Sequence, residues 1–95
     1  MKDQGSRTTS RKVFTEKYYR FHSLLRTSRE AAGLTQVALA ALLDRPQSFV
    51  SKSESGERRL DLVELHEFCQ VLGLSLVEFV TCFEAALADS DEPLS

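Results

Sequence analysis

Gln47, Ser48, Ser51, Lys52 and Ser55 are the residues of this chain best suited to chemistry, and that chemistry is recognition. They crowd onto one short helical segment whose clearest inward anchor is Val50. A solvated helix more often carries Glu/Lys ion pairs. Small or hydrogen-bonding side chains at the start of a protruding helix suit the floor of a DNA major groove. There Gln pairs bidentately with adenine, Lys donates to guanine, and Ser allows close approach. Rival chemistries have less behind them. His66 and Cys69 stand at i and i+3, but structural zinc takes four ligands, and only His22 and Cys82 remain. No nucleophile, base and orienting acid converge in a motif, and there is no phosphate loop. We therefore expect no catalytic site, no metal and no cofactor.

Five helical segments must position these residues, each with a start or stop signal. The first begins after Thr15, a candidate N-cap, and runs to about Ala32. Its inner stripe is Phe21, Leu24, Leu25, Ser28 and Ala32, and Gly33 stops it. Thr35 caps a second, from about Gln36 to Leu43, with Leu39, Ala40 and Leu43 inward. Pro46 suits the first turn of a third, which ends at Gly56. The fourth opens on Asp61 with Glu64 three residues on, a capping-box arrangement, and stops at Gly73. The fifth repeats the device with Ser75 and Glu78 and continues to about Ala88. Strand patterns are absent, so the fold class is all-α. Two short helices joined through about three residues, Asp44 to Pro46, cross steeply and make a helix-turn-helix over residues 35–54.

The 95 residues allow one domain and one modest core. We divide them into a basic, flexible arm (1–12), the folded domain (13–88) and an acidic tail (89–95). The net charge of −2 conceals a strong polarity. Residues 1–60 hold twelve basic and six acidic side chains, +6, while residues 61–95 hold eight acidic and no basic ones, −8. One end can face DNA while the other repels it. No apolar run approaches a membrane span and the N-terminus is not a signal peptide, which predicts a cytoplasmic protein without a structural disulfide.

The segment GLTQVALAALLDRPQSFVSKSESGERRL resembles the helix-turn-helix of lambda-repressor-like, XRE-type transcriptional regulators, and the similarity extends over roughly residues 24–79. It is carried by Arg29, the Gly33-Leu34-Thr35-Gln36 entry, Leu39-Ala40, Gln47-Ser48, Val50-Ser51, Glu54 and Gly56. The resemblance implies a five-helix lambda-repressor-like domain and a role for each matched position. Gln36 would hold a backbone phosphate and brace Gln47. Gln47, Ser48 and Lys52 would face base edges, with Ser51 and Phe49 at the margin. Phe49 would meet a thymine methyl or pack over the second helix. Arg58 and Arg59 would grip phosphates, joined by Arg45. Arg29 and Glu54 would form an ion pair tying the first helix to the third.

Some residues depart from the family pattern. Asp44 stands where Gly is usual, Pro46 where Ser or Thr caps, and Ser53 at a usually apolar position, which predicts a weaker seat for the third helix. Val37, Ala38, Ala41 and Leu42 make the second helix apolar nearly all round, and Val13, Phe14 or Tyr18 would fold back to cover it. The fifth helix has more apolar surface than one face needs. Its surplus suggests a homodimer seam at Val80, Phe83, Ala86 and Leu87. The expected partner is double-stranded DNA, read as an inverted-repeat operator by the homodimer. The alternatives are a protein partner, as for the antitoxin of a toxin–antitoxin pair, or a restriction–modification controller.

Overall fold

The computed structural model describes residues 2–91, and the side chains of residues 15–89. Its elements are α1 (Lys2–Ala31), α2 (Gln36–Leu43), α3 (Gln47–Ser55), α4 (Leu62–Leu72) and α5 (Leu76–Asp91), with no strand among the described residues. The chain is thus the all-α, five-helix domain that the caps and stops predict. The backbone of α1 is already helical at Lys2, well before the start signal at Thr15. The side chains of the arm lie outside the described residues, as do residues 92–95 of the tail.

The boundaries follow from local hydrogen bonding. The Thr35 side chain accepts from the Ala38 N–H at 3.0 Å, satisfying a donor that α2 leaves free. Asp61 and Glu64 close a full capping box at α4, and Ser75 and Glu78 exchange the same pair of bonds at α5. Pro46 sits at the N-cap of α3 rather than within its first turn, with extended backbone and no side-chain cap. Its missing N–H costs nothing there, because the position precedes the helical ladder. Asp44 ends α2 in the left-handed region at φ 58°, the one non-glycine with positive φ among the described residues. Asp visits that region more readily than most residues, which allows the turn without a glycine.

The core is small. Leu25 of α1, Leu39 and Ala40 of α2, Phe49 and Val50 of α3, Phe68 and Cys69 of α4, and Phe79 of α5 form one buried cluster. Every helix contributes to it, and α2 and α3, with eight and nine residues, are below the length at which a free helix persists. Burial raises the Cys69 thiol pKa, making it an inert core residue, whereas Cys82 is exposed. The second helix is not covered as expected. Val37 and Leu42 stay about 60% exposed. Tyr18 packs elsewhere, beside His22 and Arg59, because α1 is continuous through this region and cannot fold back. Val13 and Phe14 lie outside the residues with described side chains.

Candidate nucleic-acid interface

α3 has a seated side and a bare side. Phe49, Val50 and Ser53 are buried, while Gln47, Ser48 and Lys52 are exposed and Ser51 is half-buried. Helical periodicity puts the four polar residues on one stripe opposite the seat. Ser53, the anomalous residue of that seat, is fully buried, and its hydroxyl donates to the Phe49 carbonyl at 2.7 Å. The polar group is thereby satisfied inside the helix, so its burial carries little of the usual penalty.

A polar chain fixes how α3 is held. Arg29 on α1 donates from Nε to Glu54 Oε2 at 2.7 Å and from Nη2 to Oε1 at 3.0 Å. Its Nη1 donates to the Leu34 carbonyl at 2.7 Å. The pair is almost sealed from water, with side chains 10% and 4% exposed. Hydrogen bonding to Glu54 raises the Arg29 pKa further above its ordinary value. Glu54 Oε1 also accepts from Gln36 Nε2 at 3.1 Å, and Gln36 Oε1 accepts from Gln47 Nε2 at 3.4 Å. The chain therefore runs from α1 through the end of α3 and the start of α2 to the first residue of the polar stripe. Gln47 keeps its own Oε1 and a second N–H for a ligand, the donor–acceptor pair that an adenine edge requires.

The arginines flanking α3 are less free than their sequence suggests. Arg45 and Arg58 both lie over the Phe49 ring, 4.5 and 4.6 Å from its centre, and that ring in turn packs 5.9 Å from Phe68. Of the two roles open to Phe49, the structure shows packing: the ring is buried under two guanidiniums. Arg58 forms two bonds to Glu64, at 3.1 and 2.9 Å, and Arg45 approaches Glu64 and Glu67 at 4.0 and 3.7 Å. The Glu64 pKa is lowered from its ordinary value, first by the Arg58 hydrogen bond and then by the Asp61 backbone N–H. Arg59 is exposed and lies 4.7 Å over the Tyr18 ring.

Sequence reasoning missed three contributors here. Glu64 was visible as a capping residue, but its pairing with Arg58 crosses a loop and has no helical periodicity. Tyr18 stacks under Arg59 from the far end of the sequence. His22 lies beneath Gly56, the αL residue that ends α3: a Cβ on Gly56 would meet its ring at 2.8 Å. The His22 pKa is lowered by burial and by the nearby Arg59 charge.

The residues expected at a dimer seam lie on α5, apart from α3. Val80 is exposed, and Phe83, Ala86 and Leu87 are half-buried. Val80 and Phe83 border an open apolar cavity of about 300 Å³ between α1, α4 and α5.

Comparison with known proteins agrees with this geometry. A family model described as a helix-turn-helix domain matches residues 21–80. An XRE-family-like protein from Pseudomonas syringae pv. tomato str. DC3000 is 42% identical, with TM-score 0.75, over 82% of this chain and 95% of its own. The clp gene regulator ClgR from Corynebacterium glutamicum is 22% identical, with TM-score 0.70, over 82% and 85%, and shares the fold. A comparison with curated proteins found no match.

Proposed function

We propose a function from one premise: the chain belongs to the XRE-type helix-turn-helix family. It is a DNA-binding transcription regulator, and its finer reading is a homodimer that recognises an inverted-repeat operator. The observation that carries this reading is the polar stripe of α3, bare on one side and fastened on the other by the Arg29–Glu54–Gln36–Gln47 chain. Gln47, Ser48 and Lys52 face base edges, with Ser51 at the margin. Gln36, Arg45, Arg58 and Arg59 contact phosphates, and the basic arm adds phosphate or minor-groove contacts. Two copies meet through Val80, Phe83, Ala86 and Leu87, setting their recognition helices about 34 Å apart on one face of the duplex. The activity is binding rather than catalysis, in the cytoplasm. Among the described residues no single helix is long and apolar enough to cross a membrane.

Selection of bound duplexes from a random pool tests this reading. The expected product is an enriched inverted repeat whose half-sites are about one helical turn apart. A pool without enrichment would refute sequence-specific reading. An enriched single half-site would refute the dimer.

A second reading follows from Val37 and Leu42, which stay exposed on α2. Two exposed apolar residues on the helix beside α3 suit a protein partner, such as the toxin bound by an antitoxin. Substituting both with Gln should leave DNA affinity unchanged and abolish such a complex.

A further inference from the structure

We propose that Glu64 is a positioning residue for DNA binding: it holds the Arg58 guanidinium end-on and leaves its side-on fork open to a backbone phosphate. The proposal rests on the reading of Arg58 as a phosphate contact.

An arginine has five N–H donors, and which ones are spent decides what it can still bind. Arg58 donates from Nη1 to Glu64 Oε1 and from Nη2 to Glu64 Oε2, so the carboxylate meets the end of the guanidinium. Nη1 also donates to the Arg59 carbonyl at 3.0 Å. The Nε–H donates to nothing among the described residues, and Nη2 retains its second proton. Those two protons share one edge and form the parallel fork that matches two phosphate oxygens. Arg29 shows the opposite allocation. Its Nε and Nη2 both go to Glu54 and its Nη1 to Leu34, which uses up that edge and makes it purely structural.

The rest of the cluster keeps the open fork in place. The Asp61 backbone N–H donates to Glu64 Oε1 at 3.0 Å, so the carboxylate is itself anchored to the start of α4. The Phe49 ring supports the guanidinium from within α3. Arg58 is 39% exposed, so its unspent edge has access to solvent. The carboxylates of the cluster are divided between the two arginines. Glu64 lies against Arg58 and near Arg45, while Glu67, the other carboxylate near Arg45, is half exposed and 3.7 Å away. With Glu64 spent on the end of Arg58 and Glu67 drawn to Arg45, the attraction for an anion lies at the unspent Nε–Nη2 edge of Arg58 rather than in the net charge of the cluster.

The test measures binding of a labelled mixed-sequence duplex of about 25 base pairs at about 50 and 200 mM KCl, for Arg58→Ala, Glu64→Ala, Glu64→Gln and the Arg58→Ala/Glu64→Ala double variant. Thermal melts accompany each, and Glu64→Gln replaces Glu64→Ala in the cycle if the latter fails to fold. Arg58→Ala should weaken binding and reduce the salt slope by about 0.9. Glu64→Ala should weaken binding roughly three- to tenfold, although it removes a negative charge, with Glu64→Gln intermediate. In the Arg58→Ala background the Glu64 change should weaken nothing. Tighter binding in both backgrounds would show that Glu64 only repels DNA. Equal weakening in both would show that it only stabilises α4. Either result overturns the proposal. An Arg58→Ala variant with unchanged affinity and slope would overturn the phosphate reading itself, and Glu64 would then have nothing to position.

Discussion

Replacing Glu54 by Ala should be among the most damaging single changes in this protein, and its cost can be worked from the structure. Three donors lose their acceptor at once: Arg29 Nε, Arg29 Nη2 and Gln36 Nε2. Arg29 keeps only the Leu34 carbonyl, while its side chain stays 10% exposed. An ion left buried without its partner costs about 3–5 kcal/mol, against about 1 kcal/mol or less for an exposed pair. The near-complete burial of both side chains places this pair in the upper range. A domain of this size loses about 4–8 °C of melting temperature per kcal/mol, so the variant should melt at least 12 °C lower. Urea denaturation supplies the free energy directly. The double variant Arg29→Met/Glu54→Leu provides the control. Removing both charges and filling the space with apolar groups should restore stability to within about 1–2 kcal/mol of the native protein. Operator preference should not return with it, because Gln36 and Gln47 would lose the chain that orients them. A loss below about 1 kcal/mol for Glu54→Ala would mean the pair is wet. A double variant with full operator preference would refute the orienting role.

The reading stripe, acid stability and the end of α3 yield further tests. Gln47→Ala or Lys52→Ala should weaken a selected operator by about 1–3 kcal/mol and leave mixed-sequence duplex binding nearly unchanged, as titrations of both duplexes would show. The His22 pKa is lowered in the folded state, so the unfolded chain binds more protons as pH falls through 6.5. Stability should therefore decline below that pH, and His22→Gln should remove this part of the decline in urea titrations at pH 7.5 and 5.5. Glu64 titrates in a lower window. Its depressed pKa contributes stability above about pH 4.5 that is lost on further acidification, a loss that Glu64→Gln should reduce. Gly56→Ala should destabilise by about 1–3 kcal/mol in urea titrations, because φ is 89° and the new Cβ would strike His22.

The helices were legible because their punctuation is local. Thr35, Asp61 and Ser75 with their partners three residues on, and Gly33, Gly56 and Gly73 at the stops, act within one turn of chain. The exposure of Gln47, Ser48 and Lys52 was legible too, since polar residues around a single apolar anchor do not make a core. Side-chain partnerships across loops were harder to see. Glu64 satisfies both its own helix and Arg58, and only the capping half obeys a spacing rule. Phe49 could be assigned to a base or to the core on sequence alone. The decision lay with Phe68, nineteen residues away, and with two guanidiniums from opposite ends of α3. The expected cover over α2 failed for a related reason. Apolar periodicity shows that a face exists, but not that anything in the same chain reaches it.

The seat of α3 explains why polar contacts outside the reading stripe should govern DNA recognition here. A nine-residue helix with Phe49, Val50 and a buried serine beneath it has little apolar area to fix its angle. Hydrophobic contact is also non-directional, so it could hold the helix without orienting it. Orientation comes instead from directional bonds at both ends. Gln36 meets Gln47 at the first residue, Arg29 meets Glu54 in the last turn, and the αL turn at Gly56 closes onto His22. The Gln36–Gln47 bond, at 3.4 Å, is the longest in the chain and the one that reaches the proposed base-reading stripe. A base edge that draws Gln47 outward therefore competes with the weakest link, while the Arg29–Glu54 end stays locked. Adjustment to the operator should begin at the N-terminal end of α3, so sequence preference should respond more to Gln36→Ala than the small loss of stability would suggest.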